Sequence, residues 1–279
     1  MRMNPAVVAE FPDWSTIQAA IQRIAGFAGH WCEFLPTTGS TNDEVKQQIT
    51  GFQSPSRLLV AGRQTCGRGQ FGRTWIDSGP VATGTWPALL FSFTWSLPAA
   101  SIPPLVLTIP AGVALYRALL GLGSVPGALW LKWPNDLVGT SGKVAGILVE
   151  GTTFPQGATY VIGVGINLSE SVPRAFPELG ASSLQAAGID PDPGRVLVAF
   201  LQEWDRLWSP WCETEVIGTF TEAAAPFLRG RYRCRLPEFP EPVPVQVDGL
   251  DAGGGLWISG KQTGRRLLVD ARNLLAEKP

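Results

Sequence analysis

LWLKWPNDLVGTSGKVAGILVEGTTFPQGATYVIGVGINL, residues 129–168, holds three strand-like runs joined by two short turns. The runs are Leu129–Val138, Lys143–Gly151 and Ala158–Leu168. GTSG and FPQG between them are short enough to make the three an antiparallel meander. That meander predicts a sheet built mainly from antiparallel neighbours, and the rest of the chain is read around it.

Upstream, SRLLVAGR (Ser56–Arg63) and PALLFSFTW (Pro87–Trp95) read as two further strands, one entering and one leaving a glycine-rich loop. PPLVLTIPAGVALYRALLGLG (Pro103–Gly123) is long and apolar, but it contains Pro110 and Arg117 and many small residues. It reads as a helix buried in a core, with no membrane role. Closer to the N-terminus, Ile17, Ile21 and Ile24 recur at helical spacing within Asp13–Phe27, with Asp13 or Ser15 as cap. Thr41-Asn-Asp-Glu44 has the form of a capping box opening a helix through Ile49. Downstream, Pro193–Trp208 and Glu213–Ala225 read as helices. After Pro226 the chain becomes short strand-like runs between Gly and Pro turns, as in a small SH3-like β-barrel. The expected domains are therefore 1–225 and 226–279.

With 22 basic and 23 acidic residues and a pI near 5.9, the chain has no general basic face for a nucleic acid. Cys32, Cys66, Cys212 and Cys234 are widely spaced with no CxxC pair, which fits a reduced cytoplasmic protein better than disulfides or a zinc site. A single histidine, His30, all but excludes histidine-based metal or Ser/His/Asp chemistry. AVVA near the N-terminus is too short for a secretory h-region.

Against that neutral background, Gly62–Trp75 carries Arg63, Arg68 and Arg73 and no acidic residue. Glycine lets backbone N–H groups approach a ligand, and arginine forks match carboxylate or phosphate oxygens. The segment therefore reads as an anion-holding loop. Its Gly67, Gly69 and Gly72 satisfy GxGxxG, yet RTWIDSGPVATG follows where a dinucleotide site needs a helix. GLWISGK (Gly255–Lys261) has P-loop spacing, but Gln262 replaces the Ser/Thr and no helix pattern follows. It reads as a hairpin turn.

Four segments, in order, resemble the biotin–protein ligases: STN at Ser40–Asn42, QTCGRGQFGRTW at Gln64–Trp75, KWPNDL with GKVAGILVE at Lys132–Glu150, and IGVGIN at Ile162–Asn167. The resemblance implies an α+β fold. A mixed, largely antiparallel sheet flanked by helices, as in class II synthetases, would precede the small C-terminal barrel. It implies an ATP-dependent ligase that forms biotinoyl-5'-AMP and passes biotin to a lysine of a biotin carboxyl carrier domain. Lys143, Arg68 and Arg73 would be the catalytic cations, although a lysine after a GTSG turn is ordinarily a solvated hairpin residue. Ser40, Thr41, Asn42, Gln64, Gly67, Arg68, Gly69, Lys143, Gly146, Leu148 and Gly163 would form the biotin side. Thr41 also reads as a helix cap. Gln70, Arg73, Trp75, Asn135, Asp136, Lys143 and Asn167 would form the ATP side, with Asp136 a candidate Mg²⁺ ligand. Asn135 and Asp136 are also ordinary turn formers after Pro134. Disorder in Gly67–Gly72 that resolves over the ligand would exclude water from the adenylate.

Two departures stand out. The bacterial pattern usually reads GRGRxGR, whereas Gln70 occupies the second arginine's position. Only about thirty residues precede the catalytic segment, half what a winged-helix DNA-binding domain needs, so a ligase without repressor activity is expected. A homodimer is left open. The neighbouring lipoate–protein ligases differ in lacking this loop pattern, using RRxxGGG and a downstream HD. A non-catalytic adaptor would leave Lys143 and the arginines without a role.

Overall fold

The computed structural model describes residues 13–52, 54–76, 86–98, 103–171, 174, 180–190, 192–208, 232–251, 253–268 and 273–276. Seven strands make the main sheet: β1 (Trp31–Leu35), β2 (Arg57–Ala61), β3 (Ala88–Pro98), β4 (Leu129–Lys132), β5 (Asp136–Gly139), β6 (Gly142–Phe154) and β7 (Gly157–Asn167). Their order is β1-β2-β3-β7-β6-β5-β4. Only β1 and β2 run parallel; every other neighbour is antiparallel. The meander expected from residues 129–168 is present, with one difference. Leu129–Val138 is two strands, because the cis Trp133–Pro134 turn ends β4 before Asp136 starts β5.

Period-two alternation gives this sheet two unlike faces. Leu58, Val60, Leu89, Phe91, Phe93, Ala145, Ile147, Val149, Ile162, Val164 and Ile166 point to the main core. Helices α1 (Trp14–Ile21), α3 (Pro104–Gly121) and α4 (Pro193–Trp208) also contribute to that core, as do Tyr232, Val243, Leu256 and Ile258 nearer the C-terminus. Each large apolar side chain removed from water there contributes about 1.5–3 kcal/mol. Helix α3 is buried at every position from Val106 to Tyr116, as a helix packed on the sheet and on α4 must be. It is long and apolar enough to cross a membrane, and 72% of it is buried inside the protein.

The other face carries helix α2 (Thr41–Gln47) over a small cluster of Val45, Leu59 and Val161. Here the capping-box expectation is corrected. Ser40 is the N-cap position and Thr41 the first helical residue. Tertiary partners take Thr41's hydroxyl, and the Glu44 carboxylate accepts from Thr38 Oγ1 at 2.7 Å. Helix α1 likewise stops at Ile21, short of Phe27. Past a turn, Gly26 N–H donates to Asp205 of α4 at 2.8 Å, tying the chain to a neighbour.

β8 (Tyr232–Cys234), β9 (Val243–Leu250), β10 (Leu256–Gly260), β11 (Gly264–Leu268) and β12 (Leu274–Ala276) form a second, antiparallel sheet in the order β11-β10-β9-β8-β12. The short strands of the expected barrel are there, but the sheet is open: its edges do not pair among the described residues. GLWISGK forms β10 and the start of its hairpin turn, as read. Cys32, Cys66 and Cys234 are free thiols. Cys212, the expected Glu213–Ala225 helix and AVVA lie outside the described residues.

Candidate active site

The α2 face of the sheet holds a cleft between α2, the glycine–arginine loop and strands β5, β6 and β7. Strand alternation puts Gly146 and Leu148 of β6 on this face, with Gly165 and Gly163 of β7 directly opposite them. Two glycine positions thus leave a trough floored by backbone. The Trp75 indole lies across it: a Cβ on Gly165 would stand 2.8 Å from the ring and one on Gly146 3.1 Å from it. Gly163 has a different partner. A Cβ there would stand 1.9 Å from Asn42 Oδ1, so its bare backbone admits the Asn42 amide.

Lys143 is the second residue of β6 and projects into the cleft. Its Nζ is 2.6 Å from Asp136 Oδ1 and 5.6 Å from the Trp75 ring centroid. The Asp136 contact is one of opposite charge without the alignment of a hydrogen bond. The Lys143 backbone is clamped from two sides: its N–H donates to Gly180 O at 3.0 Å, and its C=O accepts from Ser182 N at 2.7 Å. Asn167 Nδ2 also donates to that carbonyl, at 3.3 Å, and to Ser182 O at 3.0 Å. Asn167 is buried behind Lys143 and does not line the cleft, so its contact is with the lysine's backbone.

The loop from Gly67 to Trp75 is a closed turn. Trp75 N donates to Gly67 O at 2.9 Å, Gly69 N to Arg73 O at 2.7 Å, and Arg68 bridges Thr74. Phe71, at φ 58°, makes the tight reversal and is exposed. Gly67 is buried where a Cβ would meet Trp75 O at 2.5 Å; it shapes the loop without lining the cleft. Gly69, Gln70 and Arg73 do line it, and Arg73 makes no ion pair among the described residues. In this structure Gly67–Gly72 is held in the turn by these bonds.

Arg68 also lines the cleft, and its head is held by carboxylates. Its guanidinium fork grips Glu150 (Nη2–Oε1 3.0 Å, Nη1–Oε2 3.2 Å) and also bonds Asp43. Glu150 Oε1 additionally accepts from Lys46 at 2.9 Å and Oε2 from Asn42 Nδ2 at 3.0 Å. Burial alone would raise the Glu150 carboxyl, but the bonds from Lys46, Asn42 and Arg68 outweigh it and hold it below the usual carboxylate range. Its bond chiefly holds Arg68 above the usual arginine range.

On the other side of the Asn42 amide, Ser92 is fully buried and sits in register with Gly163. Its Oγ lies 2.6 Å from Asn42 Oδ1 and 2.7 Å from Thr41 Oγ1. Gln64 Oε1 accepts from Thr41 N at 2.7 Å and from Thr41 Oγ1 at 3.0 Å. Ser40, Thr41 and Asn42 are all buried, and this polar knot lines one end of the cleft. Asn135 hydrogen-bonds Ile147 through both its backbone O and its Nδ2, fixing the turn that presents Asp136. Asp136 is the one carboxylate among the lining residues, and no three His, Cys, Asp or Glu side chains converge on a metal position among the described residues.

Thus the cleft gathers most of the residues named from sequence. Sequence reasoning missed Gly165, Lys132 and Glu150. Gly165 and Glu150 were visible by alternation, two beyond Gly163 and Leu148, whereas Lys132 shows itself only as register partner to Asp136.

Residues 34–167 match the profile of the Biotin/lipoate A/B protein ligase family. Two curated relatives are biotin–[acetyl-CoA-carboxylase] ligases. The Paracoccus denitrificans protein is 32% identical over 252 residues, covering 85% of this chain and 97% of its own. The Mycobacterium tuberculosis protein is 30% identical over 231 residues, covering 81% and 78%. Among solved structures, the biotin protein ligase of Aquifex aeolicus in complex with biotin and ATP superposes with a TM-score of 0.63. It covers 88% of this chain and 99% of its own at 23% identity, a likeness that speaks for the fold.

Proposed function

Because the chain belongs to the biotin/lipoate A/B protein ligase family, and within it to the biotin–protein ligases, we propose that it joins biotin to a carrier protein at the expense of ATP. One observation carries the reading. Lys143, held over a glycine-floored trough beside Asp136, faces an arginine-bearing loop across a single cleft. In the proposed reaction the biotin carboxylate attacks the α-phosphate of ATP, giving biotinoyl-5'-AMP and pyrophosphate. A carrier lysine then attacks the mixed anhydride and releases AMP.

The first step brings an anion onto a polyanion, so it requires fixed cations aimed at the developing charge. Lys143 is the cation we assign to the carboxylate and α-phosphate together, since its backbone is clamped and its ammonium is free to exchange Asp136 for phosphate oxygens. Arg73 and Gln70 line the loop side and are assigned to the phosphates. The Ser40–Thr41–Gln64 knot offers the polar atoms suited to a ureido ring, and Trp75 an apolar wall for the valeryl chain. Mg²⁺ enters with ATP. A lone cleft carboxylate fits such an ion, which takes one or two protein carboxylates and completes its shell with phosphate and water. Asp136 is the carboxylate that would hold it, and Asn135 fixes its turn.

We assign residues 1–225 to the ligase domain and 226–279 to a C-terminal module. Its five short antiparallel strands support an SH3-like reading. The acceptor is a biotin carboxyl carrier domain, the reaction needs no DNA, and the setting is cytoplasmic. The test is pyrophosphate release from ATP. Release that requires biotin and is not supported by lipoate supports the assignment, and its absence with folded protein overturns it.

A further inference from the structure

We infer that Glu150 is a positioning residue for the site: it latches the glycine–arginine loop to the sheet through Arg68, which makes Arg68 a strut of that loop. The inference rests on the ligase reading only for the loop's role, not for the latch.

Three observations carry it. First, the Glu150 carboxylate is saturated. Each oxygen takes one arm of the Arg68 fork, and each takes one further donor from α2, Lys46 or Asn42. A bidentate arginine–carboxylate pair is directional and fixes both partners. Second, Glu150 stands on the rigid part of the molecule. It shares the site face of β6 with Gly146 and Leu148, and β6 is paired along its length with β7. Third, the loop's own backbone is not hydrogen-bonded to the sheet among the described residues. Phe71 is 59% exposed at its tip, and the turn's remaining backbone bonds are internal to the loop. Remote from the tip, Trp75 rests on the glycine trough and Arg68 on Glu150, so the loop is held at its two ends.

The Asp43 carboxylate of α2 completes the cage around Arg68. A guanidinium held by two carboxylates has little charge left to offer a phosphate. The free cation on the loop is Arg73, which makes no ion pair among the described residues. The division of labour follows: Arg68 with Glu150 sets where the loop lies, and Arg73 works at the ligand.

The test uses full-length protein and two readouts. Chymotryptic cutting after Phe71, followed by mass on unliganded protein, reports loop opening. Biotin-dependent pyrophosphate release reports KM and kcat. Glu150→Gln keeps the shape but places an amide against the fork. It is expected to raise the Phe71 cutting rate and the biotin KM roughly tenfold, with kcat changed far less. Arg68→Gln should do the same, and the double variant little more than either alone. Lys46→Met removes a Glu150 partner that lies off the loop and should leave Phe71 cutting near wild type. Full additivity of the two single changes, or cutting in Lys46→Met as fast as in Glu150→Gln, would overturn the latch. Absence of pyrophosphate release in wild type would count against the ligase reading alone, because the cutting arm needs no substrate.

Discussion

Residues Lys143, Gln70 and His30 each carry a consequence that a single substitution reads out. The Lys143 side chain meets both Asp136 and the Trp75 ring, which is why the proposed chemistry centres on it. Gln70 lines the same cleft, at the position where the GRGRxGR pattern would place arginine. An amide gives a neutral hydrogen bond where a guanidinium would give a charge-assisted one, a difference of roughly 1.5–3 kcal/mol. Gln70→Arg is therefore expected to lengthen retention of biotinoyl-AMP by tenfold or more, measured by chase from a preformed complex. Unchanged retention would mean the phosphates do not lie beside residue 70. His30 bears on stability. Burial pushes its pKa down, and its hydrogen bond to Thr94 O at 3.2 Å offsets this only in part. With the folded value below the unfolded one, near 6.5, the unfolded chain takes the proton first, so stability is lost as pH falls below about 6.5. Glu150, held below the ordinary carboxylate range, gives way only at lower pH. As the chain's only histidine, His30 owns the upper limb of the acid transition. His30→Gln should flatten the fall in unfolding temperature between pH 7 and 5.

At the scale of elements, the two faces of β6 and β7 decide what the site is made of. One face is apolar from Ala145 to Val149 and from Ile162 to Ile166; the other alternates glycine with Leu148, Val161 and Glu150. Gly163→Ala should cost about 1–3 kcal/mol, because the added methyl would stand 1.9 Å from Asn42 Oδ1 and dislodge its bonds to Ser92 and Glu150. Chemical denaturation measures it; a cost near zero would show that Asn42 is not held there. This is also where the sequence was most and least informative. The meander, the apolar helix and Pro193–Trp208 were legible because their periodicity is local. A glycine in a strand shows only that a side chain is missing; Asn42 at Gly163 and Trp75 at Gly165 come from other elements. Thr41 misled for the same reason: its local pattern is a cap, but Gln64 and Ser92 lie nearby only once the chain is folded. Glu150 closes the GKVAGILVE run and shares the parity of Leu148, but its role shows only in its donors from two other segments, α2 and the loop.

Across the whole molecule, the two sheets are joined at the site. Trp133 Nε1 donates to Gly254 O at 2.9 Å, so the tip of the β9–β10 hairpin braces the turn that carries Asn135 and Asp136. Gly254, at φ 80°, packs its backbone against Leu105 at the start of α3, where a Cβ would come within 3.1 Å. Asp251 Oδ1 holds that tip in shape by accepting from Gly253 N and Gly255 N. Trp133→Phe removes the donor and leaves a buried carbonyl unpaired, at a cost of about 1–3 kcal/mol. It is expected to raise the KM for ATP more than that for biotin, since Asp136 lies beyond the braced turn and the Thr41–Gln64 knot does not. Equal rises in both would show that the hairpin supports the fold without favouring the nucleotide side. The most direct test of the central claim is the mass of an apo biotin carboxyl carrier domain after incubation with this protein, ATP and biotin. The account predicts one biotinoyl adduct on a carrier lysine, absent when lipoate replaces biotin and absent with Lys143→Ala. An unmodified carrier with folded wild-type protein, or an undiminished adduct with Lys143→Ala, would contradict it.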